Sequence, residues 1–222
     1  MRKKTETVVT VGFLAVQGVL YWLILTAGGE VGRWSSYSAI VLCAVFALSH
    51  IKTGNKWIVL GMLCTLGADF WLVAYRPQQQ LWGMVFFLGT QTFYAAFLHC
   101  SKPSRALLWV RLGLVLVAEV ITVVVLGEKT DALALISLCY YANLILNLLL
   151  AWMQFSRYPL AAIGFVLFLL CDTVIGLQVA TSGYLPIEEG SVLNEILYPG
   201  FNLSWLFYLP SQVLLSLSNR NK

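Results

Sequence analysis

The chain has 222 residues; 59% are hydrophobic, 11% are charged, and the mean hydropathy is +0.81. Soluble domains carry about 25% charged residues, so a fold this poor in charge cannot cover a water-facing surface. The composition excludes a soluble enzyme and predicts a multi-pass membrane protein, and the net charge of +4 is no nucleic-acid signal.

A helix crosses a bilayer with about 20 mainly apolar residues. Eight segments meet that requirement: Val8–Thr26, Ser35–Ile51, Trp57–Tyr75, Leu81–Leu98, Ala106–Leu126, Ala132–Met153, Pro159–Ser182 and Tyr198–Ser218. The first follows a basic "MRKK" start. Its apolar run is longer than the core of a secretion signal and reads as a span. With the N-terminus in the cytoplasm, eleven of the fourteen Lys and Arg residues fall inside: Arg2, Lys3, Lys4, Lys52, Lys56, Lys102, Arg105, Arg111, Arg157, Arg220 and Lys222. Arg33, Arg76 and Lys129 fall outside, with the acids Glu30, Glu128, Asp131, Glu188, Glu189 and Glu195. This is the positive-inside asymmetry. The expected fold is all-α: one bundle of eight transmembrane helices over residues 1–222, both termini cytoplasmic, in a cell membrane of bacterial type.

Trp34, Trp57, Tyr75, Trp82, Trp109, Trp152, Tyr158, Tyr184 and Tyr198 mark span ends, as an interfacial aromatic belt requires. The five cysteines, Cys43, Cys64, Cys100, Cys139 and Cys171, stand singly in apolar runs and read as small packing residues. His50 and His99 fall at inner ends, facing the head groups, and make a poor metal site. Gly61 precedes Asp69 by the same eight residues that separate Gly164 from Asp172. Both pairs lie in outward-running spans, which is consistent with a duplicated four-span unit.

Three acids fall within the spans: Asp69, Glu119 and Asp172. A carboxylate in hydrocarbon costs roughly 2.5–3.5 kcal/mol on insertion scales, and intramembrane acids are functional candidates for that reason. At a rise of about 1.5 Å per residue, Asp69 lies about 10 Å below the outer surface, Glu119 about 12 Å and Asp172 about 15 Å. The three are expected to share one layer, reached by water or a substrate head group from the outer side. Polar faces on the inward-running spans are expected to meet them. Gln91 shares a face with Phe87, Tyr94 and Ala95, and Tyr140, Asn143 and Asn147 form a stripe. Ser204, Tyr208 and Gln212 repeat at helical spacing behind Asn202. Asn, Gln and Tyr in spans also serve as hydrogen-bonding glue between helices. For the two aspartates the catalytic reading is stronger. Neighbouring buried carboxyls repel if both ionise, so one tends to keep its proton while the other is charged. That makes a general acid and a general base, or a proton-coupled transport site.

The seventh span carries Gly164, Phe168, Cys171 and Asp172, close to a G-x-x-x-F-x-x-S-D pattern. The third carries Gly67-Ala68-Asp69, a G-D pair with one residue inserted. The last carries Tyr208, Ser211 and Gln212, matching Y-x-x-A-Q with one conservative change. The fourth carries Gly89, Phe93 and Ala96 of G-x-x-x-F-x-x-A-H-x-x-Y, with Phe97 in place of His and Cys100 in place of Tyr. From about Trp57 to Ser218 the chain resembles the YhhN family of eight-span membrane proteins, the lysoplasmalogenases. The resemblance implies hydrolysis of the vinyl ether bond of lysoplasmalogens, releasing an aldehyde. Asp69 and Asp172 would act as the catalytic carboxyls, in an unassigned order. Gln91, Asn143, Tyr208, Gln212 and Glu119 would support them or bind substrate. No cofactor and no metal is called for. The partner implied is a membrane lipid, lysoplasmalogen or a similar single-chain amphiphile. Two alternatives use the same acids: a proton-coupled small transporter or lipid carrier, and an intramembrane isoprenoid cyclase.

Overall fold

The computed structural model describes residues 2–101, 105–127, 130–183, 188 and 190–219. Among them there is no strand, and the helices are α1 (Arg2–Thr26), α2 (Gly29–Ser49), α3 (Lys56–Asp69), α4 (Gln80–Ser101), α5 (Arg105–Leu126), α6 (Ala132–Met153), α7 (Pro159–Gly183), α8 (Val192–Leu197) and α9 (Leu203–Ser218). A π-helical turn, Phe70–Ala74, follows α3 directly. Lys102, Glu128, Lys129, Tyr184, Glu189, Arg220 and Lys222, which enter the charge and aromatic readings above, lie outside the described residues, as do the side chains of Arg2, Lys3 and Lys4.

Local chemistry sets the helix ends. Asn55 caps α3 by accepting from the Trp57 N–H at 2.9 Å, and Asp131 caps α6 by accepting from the Ala134 N–H at 2.7 Å. Such side chains satisfy N–H groups that the helix itself leaves unpaired. Pro159 opens α7, where its missing N–H is no loss. Gly29 starts α2 at φ 61°, a left-handed backbone that glycine adopts without strain.

Seven helices among the described residues are long and apolar enough to cross a membrane: α1, α2, α3 with its π turn, α4, α5, α6 and α7. The segment read as an eighth span, Tyr198–Ser218, begins its helix later. Asn202 caps α9 at the Trp205 N–H, leaving a helix of 16 residues. That is about 24 Å, short of a hydrocarbon core of about 30 Å.

The packing centres on α7 against α9, α3 against α4, and α4 against α6, while α5 packs on α6 alone among its principal contacts. Leu112, Leu116, Val120 and Val124 are exposed on α5, as on a helix facing lipid. Tyr94, Phe165, Phe168, Ile40, Met62 and Leu144 are fully enclosed. Gly61 lets α4 approach α3 closely, since a methyl group there would meet the Tyr94 ring at 2.5 Å. Gly164 does the same for α9, with Leu215 at 3.0 Å and the Ser211 carbonyl at 3.3 Å. Gly176, four residues beyond Asp172 on the same helix, has open space beside it. At one end of the bundle Asn219 ties three segments. Its side chain accepts from the Asn55 N–H at 2.6 Å and donates to the Ala47 carbonyl at 3.1 Å. That end is called the Asn219 end below. The opposite end carries the α1–α2 turn, the π turn and Asn202.

Candidate active site

Asp69 is the last residue of α3, and the π turn begins at the next residue. A residue inserted into a helix is absorbed as a π turn, and such turns recur at functional sites. The extra residue in Gly67-Ala68-Asp69 therefore has a structural counterpart next to the acid. Asp69 is 2% exposed and accepts a hydrogen bond from the Tyr208 hydroxyl of α9 at 2.6 Å. Asp172, in the middle of α7, is half-buried and accepts a hydrogen bond from the Tyr140 hydroxyl of α6. The two carboxyls lie within electrostatic reach of one another.

Aromatic rings join the two acid–tyrosine pairs. Phe87 of α4 lies 5.5 Å from Tyr140, 6.3 Å from Tyr208 and 6.0 Å from Phe168, ring centroid to centroid. Phe168 lies 5.7 Å from Tyr208 and 6.4 Å from Tyr140. Four rings from α4, α6, α7 and α9 thus pack mostly edge to face into one aromatic cluster, called the aromatic cage below, with a carboxyl at each tyrosine. The faces of such rings are electron-rich and attract positive charge.

The remaining candidate residues sort into a second layer. Arg111 of α5 is 6% exposed. Its two terminal nitrogens donate to Asn143 Oδ1 and Asn147 Oδ1, each at 2.7 Å. Asn147 in turn donates to Gln91, to its backbone oxygen and to Oε1, both at 2.9 Å. Asn143 and Gln91 are therefore oriented by Arg111 and not by the acids. From Tyr140 to Asn147 is about 10 Å along α6, so this layer sits nearer the Asn219 end. Counted from the sequence among the interfacial cations, Arg111 is instead an intramembrane residue. Among the described residues no carboxylate pairs with it. Gln212 is 0% exposed and donates weakly to Ser211 Oγ at 3.5 Å. Its Oε1 and Gln91 Nε2 are buried without partners, as are Gln17 Oε1 and the Tyr94 hydroxyl.

Glu119 is half-buried on α5, with Cys139 of α6 as its electrostatic neighbour and one oxygen unpartnered. It stands apart from the cage. Asn202 and Ser204 hydrogen-bond to each other at 2.8 Å at the start of α9, so they form a cap and not a polar face at membrane depth. Phe97 lies edge-on to Tyr158 with centroids 4.7 Å apart. It is ten residues beyond Phe87 on α4, about 15 Å. The departure from the family pattern therefore lies well away from the acid layer.

Of the four rings only Tyr208 is among the candidate site residues; Phe87, Phe168 and Tyr140 are not, and of these Tyr140, on the polar stripe of its span, is the one that touches an acid. A level count identifies it: Tyr140 and Asp172 each lie thirteen residues from the ends of their helices at Met153 and Pro159. Antiparallel neighbours joined by a short turn meet at equal distances from that turn.

Fold and site together define a polytopic helical membrane protein with a paired-carboxyl centre lined by aromatic rings. The family model described as the YhhN family matches residues 33–219, and the chain belongs to that family. Comparison with curated proteins returns no match, and comparison with solved structures returns none either.

Proposed function

We propose that the chain is a membrane-embedded hydrolase cleaving the vinyl ether bond of lysoplasmalogens, with Asp69 and Asp172 as its catalytic pair. One observation carries the reading. Two carboxyls from different helices, each held by a tyrosine hydroxyl, flank a single aromatic cage in a chain of the YhhN family.

A vinyl ether is cleaved when an acid protonates the outer alkene carbon. The carbon attached to oxygen becomes an oxocarbenium ion, which water captures. The hemiacetal then collapses to an aldehyde and the glycerophospho-alcohol, consuming one water. One carboxyl in its acid form supplies the proton. The other, as carboxylate, opposes the positive charge and takes a proton from the attacking water. Phe87 and Phe168 pack against both tyrosines and keep the surroundings of the carboxyls apolar. Tyr140 and Tyr208 hold the carboxyls in place, and Gln212 Oε1, one turn beyond Tyr208, offers an acceptor to water or to a substrate hydroxyl. In this reading α9 is the eighth crossing, accommodated by local thinning of the bilayer. Both termini are cytoplasmic, and the membrane is a bacterial-type cell membrane.

The test is aldehyde release from a lysoplasmalogen by the purified protein. Asp69→Asn and Asp172→Asn are each expected to lower turnover by about 10²-fold or more, the usual contribution of a positioned acid or base. Activity that survives both substitutions would remove the catalytic assignment. The aromatic cage also suits an isoprenoid carbocation, which makes a cyclase the second reading. Cyclised product from an isoprenoid diphosphate, with no aldehyde from any vinyl ether, would favour it.

A further inference from the structure

A cavity of about 720 Å³ lies at the Asn202 end of the bundle. The α1–α2 turn, the π turn, the end of α7 and the start of α9 line it, and it opens to the outside. Its lining divides by chemistry. Arg33 and Arg76 supply positive charge, while Leu72, Leu197 and Trp205 supply apolar wall. Arg33 is fixed in place: it donates to the Ala74 carbonyl at 2.9 Å and pairs with Glu30, and its Nε is buried without a partner. Arg76 is exposed and, among the described residues, forms no ion pair. Two guanidiniums thus face one carboxylate, and the cavity keeps an excess of positive charge.

The acids do not line the cavity, but only one layer of side chains separates Asp69 from its wall. Trp205 packs edge-on against Tyr208, centroids 5.0 Å apart, and Tyr208 holds Asp69. Leu72 is three residues beyond Asp69. Gln178, also on the lining, is six residues beyond Asp172. These steps correspond to ~5–9 Å along the helices, comparable to the glycerol backbone that separates a lipid phosphate from its first ether bond.

We propose that this cavity binds the phosphate-bearing head group of a single-chain lipid, with Arg76 and Arg33 as its anion contacts. Arginine suits phosphate because its planar fork matches two oxygens at once. The apolar wall takes the glycerol and the first carbons, and the reacting bond then lies at the aromatic cage. This last step rests on the hydrolase reading; the binding of the head group does not.

The experiment measures binding by the purified full chain with three probes of the same medium. They are a saturated 1-alkyl lysophosphatidylethanolamine, the 1-alkylglycerol of equal chain length, and inorganic phosphate. The phosphate-bearing lipid is expected to bind at least ten-fold more tightly than the alkylglycerol. Arg76→Gln, at an exposed position that leaves packing intact, is expected to weaken the phospholipid at least ten-fold and the alkylglycerol not at all. Arg33→Lys, which keeps the charge and loses the fork, is expected to weaken it less. Equal affinity for the alkylglycerol, or wild-type affinity in Arg76→Gln, overturns the site. Inorganic phosphate binding as tightly as the lipid overturns the lipid assignment and leaves a free-anion site. The doubly substituted Asp69→Asn, Asp172→Asn chain separates the two readings. Normal, Arg76-dependent binding by that chain supports the head-group site whether or not the wild type releases aldehyde. Aldehyde release with unchanged KM in Arg76→Gln overturns the site and leaves the hydrolase standing.

Discussion

Tyr208 and Arg111 are both buried polar residues reaching across helix boundaries, and they do different work. Tyr208 ends on a carboxyl inside the aromatic cage, whereas Arg111 ends on two asparagine side chains in another layer. Removing one partner of a buried hydrogen bond leaves the other unsatisfied, at about 1–3 kcal/mol. Both substitutions therefore cost stability, but only one touches the acids. Tyr208→Phe is expected to reduce aldehyde release about ten-fold with KM nearly unchanged, through misplacement of Asp69. Arg111→Met orphans Asn143 Oδ1 and Asn147 Oδ1 and is expected to lower the midpoint of thermal unfolding while turnover per folded molecule is retained. Turnover and unfolding measured on the same preparations separate the two effects. Equal loss of turnover in both variants would join the two layers into one site.

At the scale of the element, the glycines show how a bilayer protein packs without a hydrophobic drive between helices. Lipid chains are as apolar as leucine, so helices associate through close backbone approach. Gly61 and Gly164 permit that approach, at Tyr94 and at Leu215 with the Ser211 carbonyl. Gly176 has nothing within 4 Å. Gly61→Val therefore forces a side chain into a ring and is expected to destabilise by about 1–3 kcal/mol. Gly176→Ala meets open space and gains helix propensity, so a change from neutral to about 1 kcal/mol more stable is expected. Thermal unfolding in detergent reads both. The same asymmetry bears on the apparent duplication. The two Gly–Asp pairs have equal spacing, yet Asp69 leads into a π turn and Asp172 lies within a continuous helix. The echo does not extend to the local backbone at the acids.

At the scale of the whole molecule the alternation of spans determines which end meets which solution. The Asn219 end carries Thr53, and the opposite end carries Gln78, both exposed. With the five native cysteines replaced, a single cysteine at Gln78 is expected to react with an impermeant reagent in intact cells. One at Thr53 is expected to react only after permeabilisation. The reverse pattern would invert the topology and place the cationic cavity on the cytoplasmic side.

Much of this arrangement was legible in the residues themselves. Apolar runs of membrane length locate the helices because a backbone in hydrocarbon has to satisfy its own hydrogen bonds. Asp69 and Asp172 stand out because a carboxyl at that depth is expensive, and the motifs around them carry the resemblance to the family that matches residues 33–219. Other features depended on which faces of neighbouring helices meet. Asn143 and Gln91 belong to Arg111, Tyr140 belongs to Asp172, and Glu119 belongs to neither layer. Periodicity places a residue on one face of its own helix but leaves open which helix that face touches. Arg111 illustrates the limit, since a cation six residues into a span looks interfacial until α6 is seen to supply both of its acceptors. Apolar runs suffice for the helical membrane class and for seven helices of spanning length, and depth marks the two acids, because burial in lipid constrains each segment separately; the start of α9 at Leu203 was not legible in them. Only the tertiary structure decided the aromatic cage, the arginine–amide layer and the cationic cavity, because each is assembled from segments far apart in the chain.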